Sequence, residues 1–238
     1  MSDLNHDPII IALDFADAAQ ARSLVKLLGQ SVGFYKVGME LYASVGIDFA
    51  RELSESGKRV FLDLKMYDIP ETIQRAVRQV AKTDVEFLTI HARLSVMLAA
   101  VKGRADSSLK LLGVSVLTSM DDADLRADLG YPATVSDLVA LRSRNAMASG
   151  VDGIVCSPLD VANVRSITGS KAILVTPGVR SRSGTAADQK RVATPAEAVA
   201  AGADYLVIGR QVTRANDPIA EIERIHQELA MATPRGAA

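Results

Sequence analysis

Phe61-Leu62-Asp63-Leu64-Lys65-Met66-Tyr67-Asp68-Ile69-Pro70-Glu71-Thr72 begins as an apolar strand and ends in closely spaced opposite charges. Side chains alternate faces along a strand. Phe61, Asp63 and Lys65 therefore share one face, and Leu62, Leu64 and Met66 share the other. Taking charges out of water is costly unless they are paired. An Asp and a Lys side by side on a strand that otherwise reads as core need a reason. One reason is structural, a buried ion pair that fixes strand register. The other is chemical. Asp68 follows just past the expected strand end, near enough to join the pair, and Pro70 marks where the strand stops and a helix starts. In alternating strand–helix proteins the C-terminal strand end is where chemistry is done, so the third charge favours the chemical reason.

Working outward, apolar runs of strand length recur at 8–14, 34–38, 60–65, 85–91, 111–118, 153–156, 172–176 and 205–209. Most are nearly continuous in Ile, Val and Leu, as parallel strands covered on both faces are. The segments between them, such as 16–28, 71–82, 135–149 and 195–201, carry Ala, Leu, Arg, Glu and Gln at helical spacing. Thr194-Pro195 is a helix start signal. Gly29, Gly57, Gly150 and Gly202 stand where a left-handed cap is wanted. Eight such units in 238 residues predict an α/β fold, a compact (β/α)8 TIM barrel. Residues 1–238 read as a single domain with short polar tails. A doubly wound open sheet is the alternative, weakened because no G-x-G-x-x-G follows the first strand.

The chain is 48% hydrophobic and 23% charged, with a net charge of −1. It has no basic run and no aromatic ladder, which argues against a nucleic-acid binder. The single Cys156 excludes an internal disulfide, fits a reducing cytoplasm and reads as a buried, inert side chain. No apolar run is long enough to span a bilayer, and the first residues lack a signal core, so a cytoplasmic location and no membrane partner are expected. His6, His91 and His226 are scattered and form no metal-binding pattern. His6 reads as tail and His226 as helix surface. His91 ends a strand, where it reads as a structural histidine at the barrel mouth.

The C-terminal strand ends collect Asp14, Lys36, Asp63, Lys65, Asp68, His91, Thr118, Ser157, Gly178, Arg180, Gly209 and Arg210. Each has an ordinary explanation. Asp14 suits a helix cap, Lys36 a strand-end lysine reaching solvent, Thr118 a turn and Arg180 a surface charge. Their convergence on one rim is what a barrel active site requires. Thr176-Pro177-Gly178-Val179-Arg180 and Val207-Ile208-Gly209-Arg210 close the last two strands, where barrels commonly bind phosphate. Gly209 permits close backbone approach, and Arg210 offers a forked, charge-assisted contact. The polar connection 179–190 reads as a mobile loop that folds over a ligand.

These residues carry a resemblance. Leu13-Asp14, Lys36-Val37-Gly38, Asp63-x-Lys65-x-x-Asp68-Ile69-Pro70-x-Thr72, Thr176-Pro177-Gly178-Val179-Arg180 and Ile208-Gly209-Arg210 resemble the orotidine 5′-phosphate decarboxylase family, from Pro8 to about Asn216. Tyr67 and Glu71 depart from that family's commonest residues. The resemblance implies orotidine 5′-phosphate as substrate, UMP as product, and no cofactor or metal. It implies that Lys36, Asp63, Lys65 and Asp68 form an alternating charge network, with Lys65 the proton donor to pyrimidine C6. Asp14 would bind ribose and Thr118 the pyrimidine, while Arg180, Gln189, Gly209 and Arg210 would hold the phosphate. It further implies a homodimer in which Asp68 and Thr72 reach the partner's site. A D-x-K-x-x-D core also resembles Mg²⁺-dependent sugar-phosphate decarboxylases and hexulose-phosphate synthases; Ile69-Pro70-x-Thr72 and Arg180 argue against these. A Schiff-base aldolase is disfavoured because a lysine flanked by carboxylates stays protonated and a poor nucleophile. A non-catalytic phosphate binder would have little use for Asp63 beside an anion.

Overall fold

The structure, a computed structural model, describes residues 7–130, 132–181 and 193–231. Its strands are β1 (Ile9–Ala12), β2 (Phe34–Gly38), β3 (Arg59–Met66), β4 (Phe87–His91), β5 (Lys110–Val114), β6 (Gly153–Val155), β7 (Ile173–Pro177) and β8 (Tyr205–Ile208). They pair in parallel in chain order, and β8 closes onto β1. The expected eight-stranded barrel is present. The helices are α1 (Ala18–Leu28), α2 (Met39–Val45), α3 (Asp48–Glu55), α4 (Pro70–Val80), α5 (Leu94–Arg104), α6 (Asp122–Leu129), α7 (Val135–Ser149), α8 (Val161–Thr168), α9 (Pro195–Ala201), α10 (Arg210–Thr213) and α11 (Pro218–Met231). β5 stops short of the expected residue 118, because the chain leaves the sheet into a turn closed by the Met120 N–H on the Leu117 carbonyl.

Local signals explain several boundaries. Thr194 and Glu197 cap each other's backbone at the start of α9. Asp17, not Asp14, caps α1 by accepting from the Ala19 N–H at 2.8 Å, which releases Asp14 for another role. Gly29, Gly57, Gly150 and Gly202 all take positive φ, as expected of residues that end helices.

Strand alternation sorts the apolar side chains into two layers. Ile9, Ile11, Tyr35, Val37, Leu62, Leu88 and Leu111 face the helices. Ile10, Ala12, Phe34, Phe61, Phe87, Leu112, Val114, Val155, Val175 and Val207 fill the barrel. The barrel floor is aromatic. Phe34 and Tyr205 each meet Phe87 edge to face, with centroids 5.1 and 5.3 Å apart. The Arg59 guanidinium lies 4.1 Å from the Phe34 ring centroid and forks onto both Glu86 carboxylate oxygens at 2.7 Å. Gly153 also faces inward, where an added methyl would meet the Ile173 carbonyl oxygen at 2.0 Å. This plug fills the lower barrel, and the large cavity lies at the C-terminal end.

His226, expected on a helix surface, is half-buried on α11 and bonds Asp7 across 3.1 Å. Its hydrogen bond to the Asp7 carboxylate raises its pKa and outweighs burial, which lowers it. A raised folded-state pKa contributes stability that is full below the unfolded value of about 6.5 and is lost as pH rises through the folded value. The melting-temperature deficit of His226→Gln should therefore be larger at about pH 6 than at about pH 9. An equal deficit at both pH values would show that the pair carries no charge-dependent stability.

Candidate active site

Three neighbouring strands change character at the same level of the barrel. On the inward face of β2, Phe34 gives way to Lys36; on β3, Phe61 to Asp63; on β4, Phe87 to Thr89. Aromatic rings thus form the floor beneath a layer of polar groups. Lys36 is 6% exposed, so it does not reach solvent as a strand-end lysine would. Its Nζ lies 2.8 Å from Asp14 Oδ1 and 3.6 Å from Asp63 Oδ2. Lys65 Nζ donates to Asp63 Oδ1 at 2.8 Å. The order Asp14–Lys36–Asp63–Lys65 alternates in sign across β1, β2 and β3. Lys36 and Asp63 are the buried members, and placing each between opposite charges offsets the cost of taking it out of water.

Asp63 is the pivot. Burial alone would raise its carboxyl, but the charges of Lys36 and Lys65 outweigh burial, aided by hydrogen bonds from Lys65 and Thr89. They hold Asp63 below the usual carboxylate range. Lys65 is reached through a break in the sheet. β3 pairs with β4 at Leu62↔Leu88 and again at Met66↔Ile90, so more of β3 than of β4 lies between the two pairs. Within this bulge Lys65 has φ +47°, one of two non-glycine residues with positive φ among those described. That conformation costs about 1–2 kcal/mol for a residue with a Cβ. Its N–H donates to Thr89 Oγ1 at 2.9 Å, and Thr89 in turn donates to Asp63 Oδ1 at 3.0 Å.

Gly38 leaves room for the outer pair. A Cβ there would lie 2.8 Å from Asp14 Oδ1 and 3.0 Å from Lys36 Nζ. His91, at the end of β4, packs against the Tyr67 ring at 5.4 Å. Burial, then Arg142 and Lys65, push its imidazole below the ordinary value and favour the neutral form.

Asp14, Lys36, Asp63, Lys65, Thr118, Arg180, Gly209 and Arg210 line one cavity of about 1050 Å³ at the C-terminal mouth. Asp68 and Thr72 do not line it. The Asp68 side chain is exposed and accepts from the neighbouring Ile69 N–H at 2.6 Å, so within its own chain it does not join the Lys65 network. Asp14 occupies the fourth place instead. Gln189 lies outside the described residues, as does most of the connection expected to fold over a ligand. The stem of that connection is pinned. Val179 bridges Ala193, and Ser181 bonds Gln211 and Glu228. Thr89 and the Ser181–Gln211 pair were not identified from the sequence, and Gly38 was named only within the Lys36-Val37-Gly38 motif, without a role. Only Thr89 had a signal there, as a polar residue between Phe87 and His91 on an inward face. Among the described residues no group of three or more His, Cys, Asp or Glu is placed to hold a metal ion, and no helix is long and apolar enough to cross a membrane.

Comparison with known proteins gives this geometry a context. Residues 7–225 match a family model described as the orotidine 5′-phosphate decarboxylase / HUMPS family. An orotidine 5′-phosphate decarboxylase of Nitrobacter winogradskyi is 51% identical over 96% of this chain and 95% of its own length. One from Rhodopseudomonas palustris (strain BisB5) is 49% identical, covering 96% of this chain and 97% of its own. The crystal structure of orotidine 5′-phosphate decarboxylase from Lactobacillus acidophilus superimposes with a TM-score of 0.83 at 36% identity, over 93% of this chain and 98% of that one.

The space at Gly38 makes a direct prediction. Gly38→Ala should push Asp14 away from Lys36, so that a crystal structure of the variant shows Nζ–Oδ1 well beyond hydrogen-bond distance. An intact pair would mean that α2 moves instead and that the glycine has no part in holding the charges.

Proposed function

This chain belongs to the orotidine 5′-phosphate decarboxylase / HUMPS family and converts orotidine 5′-phosphate to UMP with loss of CO₂; we propose that Lys65, Asp63, Lys36 and Asp68 carry that chemistry using protein side chains alone. The observation that carries the reading is the Lys36–Asp63–Lys65 chain, buried at Lys36 and opening at Lys65 onto a cavity rimmed by Arg180 and Arg210. Loss of CO₂ leaves an electron pair in the plane of the pyrimidine, where the ring π system cannot spread it. Stabilisation must come from outside the ring. A fixed ammonium at Lys65 supplies it and then gives its proton to C6. Asp63, beside the substrate carboxylate, opposes the ground state more than a transition state from which charge is departing. Lys36 holds Asp63, and Asp14 binds the ribose. Thr118 contacts the pyrimidine. Arg180, Arg210, Gly209 and Gln189 take the phosphate, whose binding energy is remote from the bond that breaks. In support, a Cβ on Gly209 would meet nothing closer than Ala12 Cβ at 3.6 Å, so the open face there suits close approach of a ligand. The Mg²⁺-dependent alternative gains nothing from the named relatives, and turnover unaffected by EDTA would exclude it.

The proposed assembly is a homodimer with shared sites. Tyr67, Ile69, Leu94 and Leu98 are exposed apolar side chains on the β3–α4 connection and α5, beside the exposed Asp68. Arg93 bonds the Tyr67 hydroxyl across this surface. An isologous contact puts the same patch on both subunits, and Asp68 and Thr72 then complete the partner's site.

Lys65→Ala should abolish decarboxylation, followed by the pyrimidine absorbance change, while UMP still binds. Turnover within about tenfold of wild type, a loss of only ~1.4 kcal/mol of barrier, would remove the role given to Lys65. Arg210→Ala should weaken UMP far more than uridine; equal weakening of both would make Arg210 structural. Mixing inactive Asp68→Ala with inactive Lys65→Ala should restore activity. With random exchange of equal amounts about half the dimers are mixed and each has one intact site, so roughly a quarter of the sites recover. No recovery despite demonstrated subunit exchange would place Asp68 in its own chain's site.

A further inference from the structure

Thr89 has no role in the scheme above, yet its position singles it out. It is fully buried and does not line the cavity. It therefore has no route to a substrate and acts only through its neighbours. It sits opposite the bulge, the one β4 residue between the registered pairs Leu62↔Leu88 and Met66↔Ile90. There the Lys65 N–H meets the Thr89 hydroxyl at 2.9 Å. A hydroxyl has one proton. Having accepted from Lys65, Thr89 is free to donate that proton, and Asp63 Oδ1 lies 3.0 Å away. Asp63 Oδ1 also accepts from Lys65 Nζ at 2.8 Å. The three contacts form a closed ring, from Lys65 backbone to Thr89 to Asp63 to Lys65 side chain.

We propose that Thr89 is a positioning residue of the decarboxylase, holding the Lys65 backbone in its positive-φ turn and orienting the Asp63 carboxylate that aims the Lys65 ammonium. The proposal rests on the reading of Lys65 as proton donor. Only a side chain that both accepts and donates can serve. Valine has the shape without the hydrogen bonds, and serine has the hydrogen bonds without the methyl. The residues proposed to hold the phosphate, Arg180 and Arg210, follow β7 and β8 rather than β3 or β4, so phosphate affinity is set elsewhere.

The test compares Thr89→Val and Thr89→Ser with Lys65→Ala as reference, measuring kcat, KM and UMP affinity. Loss of a hydrogen bond to a charged group corresponds to a fall of about tenfold to hundredfold in kcat. Thr89→Val should show that fall with KM and UMP affinity within about threefold of wild type, and Thr89→Ser should recover kcat to within about threefold. If Thr89→Val does not fold, Thr89→Ser against Thr89→Ala makes the same comparison, since both lack the methyl and only Ala lacks the hydroxyl. Wild-type kcat in Thr89→Val or Thr89→Ala, with Lys65→Ala inactive, would overturn the role of Thr89 alone. A serine variant no better than the hydroxyl-free one would also overturn it, by showing that the methyl rather than the hydrogen bonds matters. Activity retained in Lys65→Ala would instead overturn the underlying reading.

Discussion

A carboxylate held between two ammonium groups inside a barrel is the constraint on which the rest of this structure depends. Asp63 cannot be buried alone, because the cost would be several kcal/mol. Lys36 and Lys65 lower that cost, and buried Lys36 is in turn held by Asp14 as well as by Asp63. Asp63 is held from both sides by the chain's own groups, with Lys65 Nζ at 2.8 Å and Lys36 Nζ at 3.6 Å. That is the condition under which charges stabilise a transition state without first having to reorganise.

The fold provides this condition with ordinary means. Inward side chains along β2, β3 and β4 alternate with those facing the helices, and two residues separate the aromatic floor from the polar layer. The edge-to-face rings and the Arg59–Glu86 fork close the barrel below. The charges are thereby placed at the end that opens onto the large cavity. A regular strand would carry Lys65 on along the ladder. The bulge turns the backbone there, and the lysine comes back onto Asp63.

Much of this was readable in the sequence because it is local or periodic. Continuous Ile, Val and Leu runs separated by helical spacing identified the barrel, and strand period marked Asp63 and Lys65 as a pair, although the bulge and the positive φ at Lys65 that bring them together lie outside that period. What depended on neighbours distant in the chain was not readable. Asp14 looked like a helix cap until Asp17 was seen to do that work, and the Asp14–Lys36 pair needs β1 and β2 side by side. Asp68 is close to Lys65 in sequence but points to solvent within its own chain, since the chain turns outward before Pro70. His226 looked like surface because nothing in α11 reveals that Asp7 lies under it. Thr89 stood out only as a polar residue on an inward face, and its partners need the β3–β4 register.

The most direct measurement of the central claim is the turnover of Asp63→Asn. Asparagine keeps the shape and removes the charge, leaving Lys36 and Lys65 without the carboxylate that separates them. Electrostatic preorganisation predicts a fall in kcat of at least about a thousandfold, equivalent to ~4 kcal/mol of barrier, in a folded protein that still binds UMP. A kcat within about tenfold of wild type would contradict it, because the site would then work without the charge around which it is built.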